Sequence, residues 1–291
     1  MDEASRINEQ RDEIMSNEMK IISIGDRFEQ GRHESVHSRF EKVINFVKGA
    51  QIVSIVSPEI GAGPFRIVME GLDTEASDVI ELTQQKIIIN DAMQYSYSDE
   101  QIYKSELKMD GIDPEKIQEN ILQIKRTLVA TKKDESLLFL LSDEQKSSSE
   151  SAFDKELGSQ FRYAYRQLMS HEFEQAALGF KGRGYGLTPS GDDFNVGLLM
   201  GLQLRSQAEK KELSKIRSDI YHNSLGKNPL VNTFLLQAYH GWYDAKWKDL
   251  LTAICGSGRH LQSALEQVLA QGETSGADTL AGFVTAYEIL L

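Results

Sequence analysis

The densest chemistry in this chain of 291 residues lies in Gly182-Arg183-Gly184-Tyr185-Gly186-Leu187-Thr188-Pro189-Ser190-Gly191-Asp192-Asp193, a glycine-rich loop that runs into an apolar helix. Alternating glycines let a backbone turn tightly, and the helix start adds free amides and the positive end of a dipole, a combination that binds phosphate or carboxylate. Asp192 and Asp193 fall in the first helical turn. Two carboxylates there oppose a bare anion but suit a hydrated Mg²⁺ that carries a phosphate. The spacing is neither the dinucleotide fingerprint, which follows a strand, nor a Walker loop, since no Gly-Lys-Ser/Thr follows the glycines. The plain structural alternative is that Ser190 and Asp193 cap the helix, which accounts for one aspartate only.

The same helix start occurs twice. Ser190 to Gly197 and Ser275 to Gly282 both read S-G-x-D-x-x-x-G, 85 residues apart. Gly197 and Gly282 sit inside helices, where glycine costs up to ~1 kcal/mol against alanine unless another helix must come close. Two readings follow. Either the helices pack back to back as structural repeats, or both starts open on one cavity. In the second, Thr188, Ser190, Ser275 and backbone amides hold a small anionic metabolite, while Asp192, Asp193 and Asp278 bind metal or accept protons.

Other reactive side chains carry less. His222, His240 and His260 lack the HExxH or His-x-His spacing of a zinc site. Cys255 has no base beside it and reads as part of a helix-to-helix turn, and Trp242 and Trp247 read as core or interface, without the basic stripe of a nucleic-acid platform. A net charge of −12 argues against broad attraction to nucleic acid or an anionic membrane, and leaves room only for a local basic pocket. One cysteine allows no internal disulfide. The opening MDEASRINEQRDE has neither the basic nor the apolar region of a signal peptide, and no apolar run approaches the ~20 residues of a membrane span. A cytoplasmic protein is expected.

The elements that must position these residues divide by composition. Residues 1–150 carry a net charge of −11 and 7 glycines; the rest carry −1 and 15 glycines. Val43–Val47, Gln51–Val56, Phe65–Met69 and Lys86–Ile89 have strand composition and turn residues at their ends, and are expected to pair antiparallel, with Ile60-Gly61-Ala62-Gly63-Pro64 as a hairpin connection. Asp113-Pro114 followed by Ile117, Ile121, Ile124 and Leu128 predicts a capped helix. Helical periodicity dominates from Phe153 onward. The expected fold is α+β, a β-rich N-terminal domain followed by a mostly helical C-terminal domain. Its expected divisions are a polar extension over 1–24, the β-rich domain with one or two helices over 25–147, and the helical domain over 148–291, with the boundary at the serine-rich run near 145–152.

The glycine loop ending Leu-Thr-Pro-Ser-Gly-Asp-Asp, with the later Thr274-Ser275-Gly276-Ala277-Asp278 and its Leu280-Ala281-Gly282, resembles a bacterial family whose named members are the AllH subunit of oxamate carbamoyltransferase. His37-Ser38-Arg39-Phe40 with Asn45, and Gly63-Pro64, extend the resemblance to about residues 25–291; Arg183, Tyr185 and Glu273 depart from the family pattern. The resemblance implies a multi-subunit enzyme of allantoin breakdown that interconverts oxalurate plus phosphate with oxamate plus carbamoyl phosphate. Carried onto this chain, the motif positions are Gly184, Gly186, Thr188, Ser190, Gly191, Asp192, Asp193, Ser275, Gly276 and Asp278, the first candidates for substrate contact. Other subunits or copies of this chain are the expected partners, and Mg²⁺ on Asp192 and Asp193 is the one cofactor considered. A Mg²⁺-dependent hydrolase and a non-catalytic binding or assembly subunit are the alternatives.

Overall fold

β-Branched residues in short runs closed by Gly, Pro, Asn or Asp form strands throughout the first third of the chain. A computed structural model describes residues 19–75, 77–108, 112–131, 133, 135–142 and 152–289. Two compact units divide it, the first ending at Glu106 and the second starting at Leu107.

The first unit holds two sheets. One has the order β10(Ile102–Tyr103), β1(Lys20–Gly25), β6(Arg66–Glu70), β5(Gln51–Val56), β4(Val43–Lys48), β3(Val36–Phe40); the other runs β2(Gly31–His33), β7(Ile80–Leu82), β8(Lys86–Ile89), β9(Met93–Ser96). Ile44, Phe46, Val53, Ile55, Ile67 and Met69 share one fully buried face of the larger sheet. On its other face Ser38, Asn45 and Ser54 stand directly opposite one another across three strands. The Ser54 hydroxyl donates to Asn45 Oδ1 at 2.6 Å and Asn45 Nδ2 donates to Ser38 Oγ at 3.0 Å, so the amide satisfies both ends of itself in a place that would otherwise penalise it.

Two expectations are corrected here. β5 and β6 pair parallel, so Ile60 to Pro64 is a return connection and not a hairpin. That connection is pinned against β1, where the Arg27 amide donates to the Pro64 carbonyl at 3.0 Å and a Cβ on Gly25 would stand 2.1 Å from that oxygen. Lys86–Ile89 pairs antiparallel as expected, but with β7 and β9 in the second sheet.

The second unit is helical: α1(Pro114–Ala130), a 3-10 segment over Leu137–Leu141, α2(Ala152–Met169), α3(Phe173–Phe180), α4(Ser190–Glu209), α5(Ser214–Ser224), α6(Pro229–His240), α7(Ala245–Cys255), α8(Leu261–Leu269) and α9(Ser275–Thr285). Asp113 caps α1 as its spacing predicts, accepting from the Glu115 and Lys116 amides. The helical run that starts near Phe153 breaks between α2 and α3, where His171 takes a positive φ of 64°. Ile117, Ile121, Ile124 and Leu128 of α1, with Leu137, Leu138, Leu140 and Leu141, join the same buried cluster as Phe194, Leu198 and Phe283. Ile117, Ile121, Ile124, Leu128 and the leucines over 137–141 thus pack with the helices, whereas composition grouped them with the strands. The serine-rich run 143–151 and residues 1–18 lie outside the described residues. No described helix is long and apolar enough to cross a membrane.

The chain is α+β, strands first and helices after, as its composition indicates. At the centre of the second unit, α4 and α9 run parallel with their backbones touching. A Cβ on Gly197 would fall 1.8 Å from the Thr279 carbonyl oxygen, and one on Gly282 would fall 2.0 Å from that of Phe194. These contacts exchange when residue numbers are shifted by 85, so the two S-G-x-D-x-x-x-G helices are related by an approximate two-fold along their length.

Candidate functional site

The parallel run of α4 and α9 brings both helix starts to one end of the pair. Each start is built alike. The helix before it ends against the glycine that follows the serine: a Cβ on Gly191 would meet the Phe180 carbonyl at 2.0 Å, and one on Gly276 would meet that of Val268 at 2.0 Å. Each of these glycines also donates its amide to its own loop, Gly191 to the Arg183 carbonyl at 2.9 Å and Gly276 to that of Gln271 at 2.9 Å. These two amides are therefore taken, and are not offered to a ligand. The glycine loop is shaped to reach back this far. Gly184 lies at φ 112° with the Ser190 amide 2.7 Å from where its Cβ would be, and Gly186 lies at φ 87°; an L side chain at Gly184 has neither the backbone conformation nor the room.

Side chains of the two starts meet across the two-fold. Thr188 donates to Asp193 Oδ2 at 3.1 Å, and its hydroxyl lies 2.9 Å from that of Ser275; the Ser275 hydroxyl also favours the charged form of Asp193. Thr188 and Ser275 are half-buried, and Ser190, Asp192, Asp193 and Asp278 are buried. The site is thus a layer of hydroxyls over a layer of carboxyls. The Ser190 and Asp193 capping pair does not form. Pro189 occupies the cap position, Ser190 is already inside the helix, and no side chain caps it.

The three aspartates differ in what holds them. Asp192 turns to the glycine loop and accepts the Gly182 amide at 2.9 Å; burial raises its pKa, offset in part by that amide and by Lys181. Asp193 is pushed well above the usual carboxylate range, first by burial and then by the charges of Asp278 and Asp192, against the pull of Ser275 and Thr188. Asp278 accepts the Leu137 amide on Oδ1 at 2.6 Å. Its pKa is pushed up to about 6 by burial, with the Leu137 amide, the Ser190 and Thr274 hydroxyls and Lys133 favouring the charged form. Neither hydroxyl reaches Oδ2 in hydrogen-bond geometry, and that oxygen has no partner.

Asp192 and Asp193, considered together for Mg²⁺, address different partners, and among the described residues no group of three or more His, Cys, Asp or Glu is arranged to hold a metal ion. Among the lesser candidates, His240 stacks on Trp242 with centroids 4.4 Å apart while His222 lies edge-on to Tyr221. Trp247 is buried in the core. The Cys255 thiol is pushed up to about 11 by burial, a poor nucleophile at neutral pH.

Three contributors escape a reading by residue type. Leu137 acts through its backbone amide, Lys133 reaches the Leu269 carbonyl at 2.9 Å while its charge acts on Asp278, and Asn228, which caps α6, also donates to the Leu187 carbonyl at 2.8 Å and ties down the glycine loop. Of the three only Asn228, beside Pro229 at a helix boundary, carries a signal in the sequence, and that signal speaks of a cap.

Residues 180–287 match the family described as oxamate carbamoyltransferase subunit AllH, and residues 14–102 match the AllH family N-terminal domain. No curated protein and no solved structure matches the chain. The first match spans the glycine loop and both helix starts, and the second spans the row of Ser38, Asn45 and Ser54. With the two matches covering most of its length, the chain belongs to the AllH family.

Proposed function

We propose that this chain is a subunit of an oxamate carbamoyltransferase-type enzyme and holds a small carbamoyl or acid-amide substrate where the α4 and α9 starts meet. The family description supports the enzyme class. The observation that carries the site is the 2.9 Å approach of Thr188 to Ser275, residues 87 apart in the chain, above a buried carboxyl. Nothing in core packing calls for two hydroxyls there, and hydroxyls donate or accept as a ligand demands.

In this reading the amide nitrogen of oxamate bonds to the carbamoyl carbon, the carbon–oxygen bond to phosphate breaks, and the proton lost from the nitrogen leaves on the phosphate. Thr188, Ser190 and Ser275 supply donors for the negative charge that develops on the carbonyl oxygen or the leaving phosphate. Burial pushes the Asp193 carboxyl well above the usual carboxylate range, which lessens its charge against the incoming anion. Asp192 keeps the glycine loop in place through Gly182, and Gly184, Gly186, Gly191 and Gly276 give the loops their shape. Other subunits of the enzyme complete the assembly.

The test is a thermal-shift titration of the full chain with carbamoyl phosphate, oxamate, oxalurate and phosphate, each with and without Mg²⁺. A ligand at ~100 times its dissociation constant adds about 2.7 kcal/mol of stability. Thr188→Val combined with Ser275→Ala should abolish the shift and leave the circular dichroism spectrum unchanged. No shift in the wild type with any of the four compounds removes the reading.

A further inference from the structure

The geometry points to Asp278 as the specificity-determining acceptor of this site: its Oδ2 takes the N–H of a carbamoyl or amide group, and so selects acid amides over the corresponding dicarboxylic acids. The inference rests on the reading above and assigns within it the group that distinguishes substrates.

Of the three site carboxyls, only Asp278 has a buried side-chain oxygen without a partner. Asp192 is committed to the Gly182 amide, and Asp193 is enclosed by Thr188 and Ser275. Asp278 differs. One oxygen is fixed by the Leu137 amide at 2.6 Å, which sets the plane of the carboxyl, and the other is fully buried beside the Ser190 and Thr274 hydroxyls, neither of which meets it in hydrogen-bond geometry. A buried acceptor left unmade costs about 1–3 kcal/mol, more for a charged group. Such an oxygen in a native core calls for a donor from outside the chain. A carboxylate acceptor matches the N–H edge of an amide, carbamoyl or ureido group and repels a second carboxylate, whereas the adjacent hydroxyls serve either.

The charges facing Asp278 among the described residues are Lys133, from the segment before the 3-10 turn, and Asp193 on α4. Lys133 favours the ionised acceptor. Asp193 opposes it only while itself ionised.

Oxamate and oxalate differ by one amide in place of one carboxylate, and their ratio of dissociation constants reads the acceptor directly. Isothermal titration of the full chain should show oxamate bound at least tenfold more tightly than oxalate at pH 7.5. Asp278→Asn should bring the ratio near one, and Lys215→Gln, an exposed position on α5 paired with Asp219, should leave it unchanged. In the wild type the preference should also shrink as pH falls from 7.5 to 5, because a protonated Oδ2 donates where it had accepted; this needs no variant and stands if Asp278→Asn fails to fold. Equal ratios in wild type and Asp278→Asn, or a wild-type ratio that ignores pH, overturn the role of Asp278 and leave the binding site intact. Wild-type chain that binds neither acid, nor carbamoyl phosphate, overturns the proposed function and this role with it.

Discussion

Asp278 contributes to stability with a sign that can be worked out from its surroundings. Its folded-state pKa of about 6 lies above the ~3.9 of an unfolded aspartate, so the folded protein holds the proton more tightly. The stability this gives is complete below about pH 4 and is lost as pH rises through 6, amounting to about 3 kcal/mol by pH 8. Asp278→Asn removes the titration while still accepting the Leu137 amide. Urea unfolding should therefore show the variant gaining on the wild type by about 3 kcal/mol between pH 4 and pH 8; a constant difference across that range would mean that Asp278 is solvated. At this scale the sequence was informative about identity and silent about posture. Of the residues that gather at the candidate site, Ser190, Asp193, Ser275 and Asp278 are legible as a repeated motif, and Thr188 as part of the glycine loop before it. That Asp192 turns away to Gly182, and that a leucine amide orients Asp278, are not, since backbone groups are the same at every position.

Helix glycines ordinarily weaken a helix, and at Gly197 and Gly282 the sign is reversed by the neighbour. Gly158, in α2, has nothing within 4 Å of its would-be Cβ, so Gly158→Ala should stabilise by up to ~1 kcal/mol. Gly197→Ala and Gly282→Ala would each place a methyl about 2 Å from a backbone carbonyl of the partner helix, and should cost 3 kcal/mol or more or prevent folding, as overpacking does when backbone must move. Chemical denaturation of the three variants separates the cases. The strands show the opposite limit. Alternation and β-branching revealed that β5 and β6 exist, but a strand has the same composition whichever way its neighbour runs, so the parallel pairing was invisible.

At the scale of the molecule, composition distinguished a strand region from a helical one because residues that favour pleated surfaces and residues that favour helices segregate along this chain. Where one ends and the other begins was less legible. A polar, serine-rich run looks like a boundary, yet the buried stripe of α1 and the leucines over 137–141 have their partners on α4 and α9. A fragment over 107–291 should accordingly give a cooperative melt followed by far-ultraviolet circular dichroism, whereas 148–291, stripped of α1 and of the Leu137 amide, should melt broadly and bind apolar dye. Similar cooperative melts for both fragments would show that α1 is dispensable to the helical core.

The two halves of the site are not equal copies. From Gly191 the loop bond reaches back eight residues to Arg183, and from Gly276 only five, to Gln271. The longer arm brings the exposed Tyr185 and Leu187 to one side alone. A molecule with two different ends, laid across an axis that nearly but not quite repeats, meets a left hand and a right hand. The repeat with this small loss of symmetry gives the two helix starts unlike surroundings, and under the proposed function that difference would let donor and acceptor meet different ends of the site.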